Sequence, residues 1–231
     1  MLVLENLAKK LEVKFNNIEL LQQAVTHRSY LNEHRGYKLD HNERLEFLGD
    51  AVLELVVTEY LYNNYSNPEG EMTNWRAALV NGEMLAKISG EIGVEEYLMM
   101  SRGEAKDKGR ARQYLLANAF EAIVGAIYLD QKTKGYDVCK KFILKNVVIK
   151  LPNIIEKKLY FDAKSRFQEE AQERAGITPS YRVLEESGPD HDKKFIVGVF
   201  LSEEMIAKGE GLSKQEAQRS AAENALEERG W

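Results

Sequence analysis

The chain of 231 residues has one cysteine, four prolines and no run of the roughly 18 apolar residues that a membrane-spanning helix needs. A single cysteine, Cys139, excludes an intrachain disulfide and fits a reducing compartment. It reads as a small buried apolar residue on a helix. The opening stretch "MLVLENLAKKLEVKF" breaks its apolar residues with charges, so it lacks the continuous apolar core of a signal peptide, and the expected location is cytoplasmic with no membrane partner. Low-complexity segments and internal repeats are absent, which excludes solenoid and disordered classes. Excess positive charge is missing too. The net charge is −5, and division at residue 160 sharpens this: residues 1–160 carry 22 Lys+Arg and 22 Asp+Glu, residues 161–231 carry 10 and 15. Any nucleic-acid role for the tail must rest on local donors rather than on overall charge.

What is present is an ordinary folding composition, 44% hydrophobic and 30% charged, in a length that suits two unequal domains. Up to about residue 150 the apolar residues recur at helical spacing, as in "IELLQQAVTHRSYL", "RLEFLGDAVLELVVTEYLY", "WRAALVNGEMLAKISGEIG", "YLLANAFEAIVGAIYL" and "YDVCKKFILKNVVIKL". Short polar punctuations separate them. Residues 1–155 are therefore expected to form an all-α domain, followed by a linker at 156–161. The helix holding Leu45, Phe47, Leu48, Val52, Leu53, Leu55, Val56 and Val57 is apolar nearly all round, which predicts a central position in the core.

Residues 162–231 change pattern. "DAKSRFQEEAQERAG" reads as a helix closed by Gly176, and "PSYRVLEES" is strand-like. "KKFIVGVFLS" alternates Phe195, Val197, Val199 and Leu201 on one face, as a half-buried strand does. "EMIAKGEG" supplies a third strand, and Ser213 with Glu216 forms a capping box for a last helix. That helix carries Ala217, Ala221 and Ala225 as a stripe able to lie close against a sheet. The predicted order is α-β-β-β-α, an α+β fold.

Chemistry enters at "HNERLEFLGD", residues 41–50, where Glu43, Glu46 and Asp50 stand among residues that favour burial. Separations of three and seven place them within about 60° of one another around a helix, so the three charges share one face. Arg44 points about 100° away and is a poor partner for all three. A second acid, Glu121, lies in the apolar "ANAFEAIVGAIYLD", with Asn118 one turn before it. If the two helices pack together, Glu46, Asp50, Asn118 and Glu121 converge on a site suited to Mg²⁺ or Mn²⁺, hard cations that favour oxygen ligands. Such a site activates water against a phosphodiester and steadies the leaving oxygen. A solvated acidic face is the alternative that residues alone leave open. His41 reads as a cap or loop residue and Glu69 as an acid in a turn. The stretch "SRGEAKDKGRARQ", with Arg102, Lys106, Lys108, Arg110 and Arg112, reads either as a solvated loop or as a contact with a nucleic-acid backbone.

"HNERLEFLGDAVL" resembles the signature of bacterial ribonuclease III, and "AVTHRSYLNE", "ANAFEAIVGAIYLD" and a tail similar to a double-stranded-RNA-binding domain follow the family's order across nearly the whole chain. The resemblance implies an all-α endonuclease domain at residues 1–155, a double-stranded-RNA-binding domain at 162–231, and a homodimer. It implies Mg²⁺-dependent hydrolysis of double-stranded RNA to 5′-phosphate and 3′-hydroxyl ends with two-nucleotide 3′ overhangs, for processing of rRNA precursors and other structured transcripts. Its metal positions fall on Glu46, Asp50, Asn118 and Glu121, with Asp50 and Glu121 catalytic, Mn²⁺ able to substitute, and Glu43 and Glu69 as auxiliary acids. The family usually has Asp where this chain has Asn118. An amide oxygen ligates with a dipole instead of a charge, so two readings stand: an active natural variant, or an RNA binder of the same fold whose catalysis is impaired. In the tail, Lys164, Ser165, Gln168 and Glu169 match the first-helix RNA motif and His191 matches the loop that enters the next minor groove. Lys214 matches the phosphate clamp of the last helix, where Gln215 replaces a usual second lysine.

Overall fold

The computed structural model describes residues 4–106, 109–160, 163–188 and 193–231. It divides into two compact units, Met1–Tyr160 and Phe161–Trp231. In the first, the helices in chain order are α1 (Leu4–Leu11), α2 (Ile18–Ala24), α3 (Arg28–Glu33), α4 (Glu43–Asn64), α5 (Glu69–Val80), α6 (Gly82–Ile92), α7 (Arg110–Asp130), α8 (Gly135–Asn146) and α9 (Leu151–Glu156). Among the described residues no helix is long and apolar enough to cross a membrane.

The long helices α4 and α7 pack most extensively on each other. α7 is the helix sunk in the core: Ala119, Phe120, Ala122, Ile123, Val124, Ala126 and Ile127 are all fully buried. Burial of each large side chain in that run contributes roughly 1.5–3 kcal/mol. α4 corrects the expectation of all-round burial. Leu45, Val52, Leu53, Val56, Val57 and Leu61 face the core, whereas Phe47 is 82% exposed and Leu55 57% exposed. The apolar periphery predicted as core is therefore, among the described residues, an exposed surface stripe.

Polar ties fix both long helices. Asn42, 3% exposed, donates its backbone N–H to Thr26 O and its side-chain amide to Ala24 O, while its own carbonyl accepts from Glu46 N. Asp130, at the end of α7, accepts the backbone N–H groups of Asn16 and Asn17 at 2.8 and 2.7 Å. The buried Ser89 hydroxyl on α6 donates to Leu116 O on α7 at 2.8 Å. Cys139 is fully buried on α8, as the sequence suggests, and burial pushes its thiol up to about 12.

The second unit comprises α10 (Ala163–Ala175), β1 (Ser180–Ser187), β2 (Lys194–Leu201), β3 (Glu204–Gly211) and α11 (Lys214–Arg229). The strands form one antiparallel sheet in the order β1-β2-β3, with Val197 opposite Val183 and Gly209. Phe195, Val197, Val199 and Leu201 are all buried, but the expected alternation holds only at the start of β2: Gly198 and Phe200 are buried as well, and the pairing with β3 shifts register between Val199 and Phe200. Ala217, Ala221 and Ala225 are fully buried, and a Cβ on Gly209 would lie 2.0 Å from Ala221 N, so helix and sheet touch backbone to backbone there. Gly176 closes α10 at φ 67°. The Ser213 hydroxyl accepts Glu216 N at 3.2 Å, and the Glu216 carboxylate reaches back to Leu212 N at 3.0 Å. Trp231 stacks on Phe167 at 5.4 Å and accepts Arg166 at its carbonyl at 2.7 Å.

Candidate active site and nucleic-acid interface

Two acidic helix faces meet where α4 crosses α7, because two glycines let the backbones touch. A Cβ on Gly49 would stand 1.7 Å from the Glu121 carbonyl oxygen, and one on Gly125 would stand 2.2 Å from the Leu45 carbonyl oxygen. Glu46 and Asp50 flank Gly49 in the chain, while Glu121 lies one turn before Gly125 and Asn118 another turn back. Neither glycine belongs to the residues singled out above. The signal for them was present in the sequence: an isolated glycine inside each of two strongly apolar helices marks a close approach.

The carboxylates sense one another. Burial pushes Glu121 up to about 7, and the charges of Asp50 and then Glu46 push it in the same direction. Glu46 is raised as well, by burial, by Glu43 and by Asp50, while a hydrogen bond from the Asn118 side chain opposes the rise. Glu43 sits at the exposed rim, where Arg28 approaches at 3.5 Å. His41 lies just before Asn42, the N-cap of α4, and its Nδ1 accepts Glu43 N at 3.4 Å.

Glu69 lies elsewhere within the chain. It accepts the Thr73 hydroxyl at 2.8 Å and lines a groove with Thr58, Leu61, Tyr62, Met72 and Arg76. Thr58 and Tyr62 are roughly 12 and 18 Å along α4 from Asp50.

The donors grouped at the crossing, carboxylate and amide oxygens in a cluster short of positive charge, fit a hard divalent cation. Among the described residues no three His, Cys, Asp or Glu side chains are gathered tightly enough to ligate an ion as they stand. Ligation therefore requires the carboxylates to turn inward.

In the second unit, Ser165, Gln168 and Glu169 share the exposed face of α10, opposite buried Phe167, Glu170 and Ala171. Lys164 is held by Gln218 at 2.8 Å and stands over the Tyr181 ring at 5.2 Å. Lys214 and Gln215 are exposed in the first turn of α11. His191 lies outside the described residues, as does Lys108 of the basic loop. Of that basic stretch Arg110 and Arg112 belong to α7 and not to a loop; Arg112 is taken up internally by Glu95 at 3.0 Å with 17% of its side chain exposed, and Glu33 accepts the backbone N–H of Arg102.

A family model described as ribonuclease-III-like matches residues 17–151, and one described as double-stranded RNA binding motif matches residues 163–229. Ribonuclease 3 of Enterococcus faecalis is 43% identical over 221 residues, covering 95% of this chain and 94% of that protein. Ribonuclease 3 of Nitratiruptor sp. is 44% identical over 224 residues, covering 96% and 95%. Among solved structures, the nuclease domain of ribonuclease III from Campylobacter jejuni, described for flexibility in a region involved in dimer formation, is 38% identical with a TM-score of 0.57. It covers 65% of this chain and 99% of that domain.

Proposed function

The chain belongs to the ribonuclease III family and is a double-stranded-RNA endoribonuclease, and we propose that Glu46, Asp50, Asn118 and Glu121 hold the Mg²⁺ its reaction needs, with Asp50 and Glu121 catalytic. The observation that supports this reading is the Gly49–Gly125 crossing, which brings the α4 and α7 segments bearing those four residues backbone to backbone. Mg²⁺, or Mn²⁺ in its place, supplies water activation and charge stabilisation when bound. The chain's own residues supply the rest. The buried flanks hold the two helices rigid, Asn118 orients the Glu46 carboxylate through its amide, and Glu43 borders the site. The products are 5′-phosphate and 3′-hydroxyl ends with two-nucleotide 3′ overhangs, the substrates are rRNA precursors and other structured transcripts, and the setting is the cytoplasm.

The reading extends to a homodimer joined through the nuclease domain at residues 1–155. Phe47, Leu55 and Tyr62, exposed at 82, 57 and 77%, recur at intervals of eight and seven along one side of α4. An apolar stripe of that size beside a groove suits a self-complementary contact, and a second copy is its proposed occupant. In the tail, residues 162–231, the α10 face with Lys164, Ser165, Gln168 and Glu169, the loop with His191, and Lys214 with Gln215 are the proposed duplex contacts.

The impaired-binder reading raised by Asn118 gains no support beside relatives that are ribonuclease 3 over nearly their full length. The deciding experiment incubates a long RNA duplex with Mg²⁺ or Mn²⁺ and the wild-type, Asn118→Asp and Glu121→Gln proteins. Cutting by the wild type with loss in Glu121→Gln is expected; cutting by the Asp form alone would restore the impaired reading.

A further inference from the structure

One carboxylate in the RNA-binding unit faces two lysines from different segments. Glu186, near the end of β1, has Oε1 2.9 Å from Lys193 Nζ and Oε2 4.0 Å from Lys214 Nζ. Lys193 stands just before β2 and Lys214 opens α11. The Lys214 ammonium also lies 5.7 Å from the centroid of the Phe195 ring, so its position is set from two sides. Glu186 and Lys214 are 40% and 59% exposed at their side chains, which leaves the ion pair open to competition from a docking ligand.

We propose that Glu186 is an affinity-limiting residue for double-stranded RNA: an internal oxyanion that occupies Lys214 and Lys193 and is displaced by RNA phosphates when a duplex docks. The inference rests on the reading of Lys214 as a phosphate contact. A carboxylate and a phosphodiester compete for the same ammonium groups: Glu186 holds Lys193 by a charge-assisted hydrogen bond at 2.9 Å and attracts Lys214 by charge alone at 4.0 Å. Exposed ion pairs are weak, so the duplex displaces Glu186 instead of being excluded by it. Displacement takes these two ammonium groups from Glu186 beside the RNA, and a cation drawn from solution in their place offsets part of the counterion release that drives binding. Glu186 thus lowers both the affinity of the tail and the salt dependence of that affinity.

The test uses the full chain in EDTA, so that metal-dependent cutting is suppressed, with a labelled RNA duplex of about 20 base pairs followed by fluorescence anisotropy from about 50 to 200 mM salt. Glu186→Gln is expected to tighten binding about two- to fivefold at the low-salt end and to steepen the log–log salt slope by about one. Lys214→Ala is expected to weaken binding, and in its background the gain from Glu186→Gln shrinks. Glu227→Gln removes the same charge 13 residues, or about 20 Å, along α11 and is expected to leave affinity unchanged. Unchanged or weaker binding by Glu186→Gln would overturn the proposal, while a loss in Lys214→Ala kept the phosphate reading intact. An unaffected Lys214→Ala would remove the phosphate reading and this inference with it. An equal gain from Glu227→Gln would assign the effect to overall charge and overturn the local role of Glu186.

Discussion

Gly49 and Gly125 meet backbone to backbone: a Cβ on Gly49 would lie 2.8 Å from Gly125 N, and one on Gly125 would lie 3.2 Å from Gly49 N. Glu121 feels the charges of Asp50 and Glu46 from a distant segment because these two residues have no side chains.

Gly49→Ala should therefore destabilise the nuclease unit although alanine is the better helix former by about 1 kcal/mol. The blocking atom is a backbone carbonyl, which cannot rotate away, and overpacking of this kind costs about 1–3 kcal/mol or more. Urea unfolding should show a net loss of about 2 kcal/mol, with RNA cleavage down at least about tenfold as Glu46 and Asp50 are pushed from Glu121. Gly90→Ala on α6, where a Cβ meets nothing within 4 Å, should instead stabilise by up to about 1 kcal/mol.

Stability should fall as pH rises from about 4.5 to about 7 in metal-free buffer. Glu121 has a folded-state pKa of about 7 against an ordinary value of 4.5, so the native state binds more protons than the unfolded state across that window. The contribution of neutral Glu121 is complete below the unfolded value and lost through the folded one. Glu46 is shifted in the same direction. Allowing for solvent screening at a partly exposed group, the loss from Glu121 is about 2 kcal/mol. Thermal melts of Glu121→Gln should be flatter over the same range, and a matching slope in both proteins would remove Glu121 as the cause.

Asn118→Asp adds a fourth carboxylate and removes the amide that opposes the rise at Glu46. The apo protein at pH 8 should lose about 1 kcal/mol, while the Mn²⁺ concentration that half-restores the melting temperature should drop about three- to tenfold. Melts in EDTA and across a Mn²⁺ titration read both effects without reference to activity.

Phe47→Asp should convert the proposed dimer to a monomer at micromolar concentration, measured by light scattering, with little loss of monomer stability because Phe47 is 82% exposed in the single chain. A wild-type protein that is monomeric across that range would sink the dimer reading.

Trp231→Ala should destabilise the RNA-binding unit by about 2 kcal/mol, since it removes stacking on Phe167 and the ring beneath Arg174. Hydrogen exchange confined to residues of that unit is the suitable readout.

The helical and α-β-β-β-α patterns were legible because burial imposes periods of 3.6 and two, and the acidic face was legible because Glu43, Glu46 and Asp50 are close in sequence. The depth of α4 was not. Periodicity distinguishes apolar from polar residues, but it does not distinguish a core from a surface awaiting a partner, so Phe47 and Leu55 read as buried. Glu69 shows the complementary limit: read as a turn acid, it opens α5 and lines a groove with Thr58 and Tyr62 of α4, a placement that no spacing rule gives. The pairing of Glu186 with Lys214 joins residues 28 positions apart: the register of β1 against β2 sets Glu186 opposite Phe195, and the packing of α11 on the sheet sets Lys214 over that ring.

Cys139 has a practical consequence. With its thiol pushed well above the usual range by burial and no exposed surface, it offers almost no accessible thiolate at pH 8. The chain thus arrives chemically silent toward maleimides, and a cysteine introduced at exposed Gln215 or Tyr62 becomes its one reactive handle without prior removal of the native thiol. Spectroscopic probes can then be placed on the RNA-binding helix or on the unpartnered stripe of α4 in an otherwise unaltered protein.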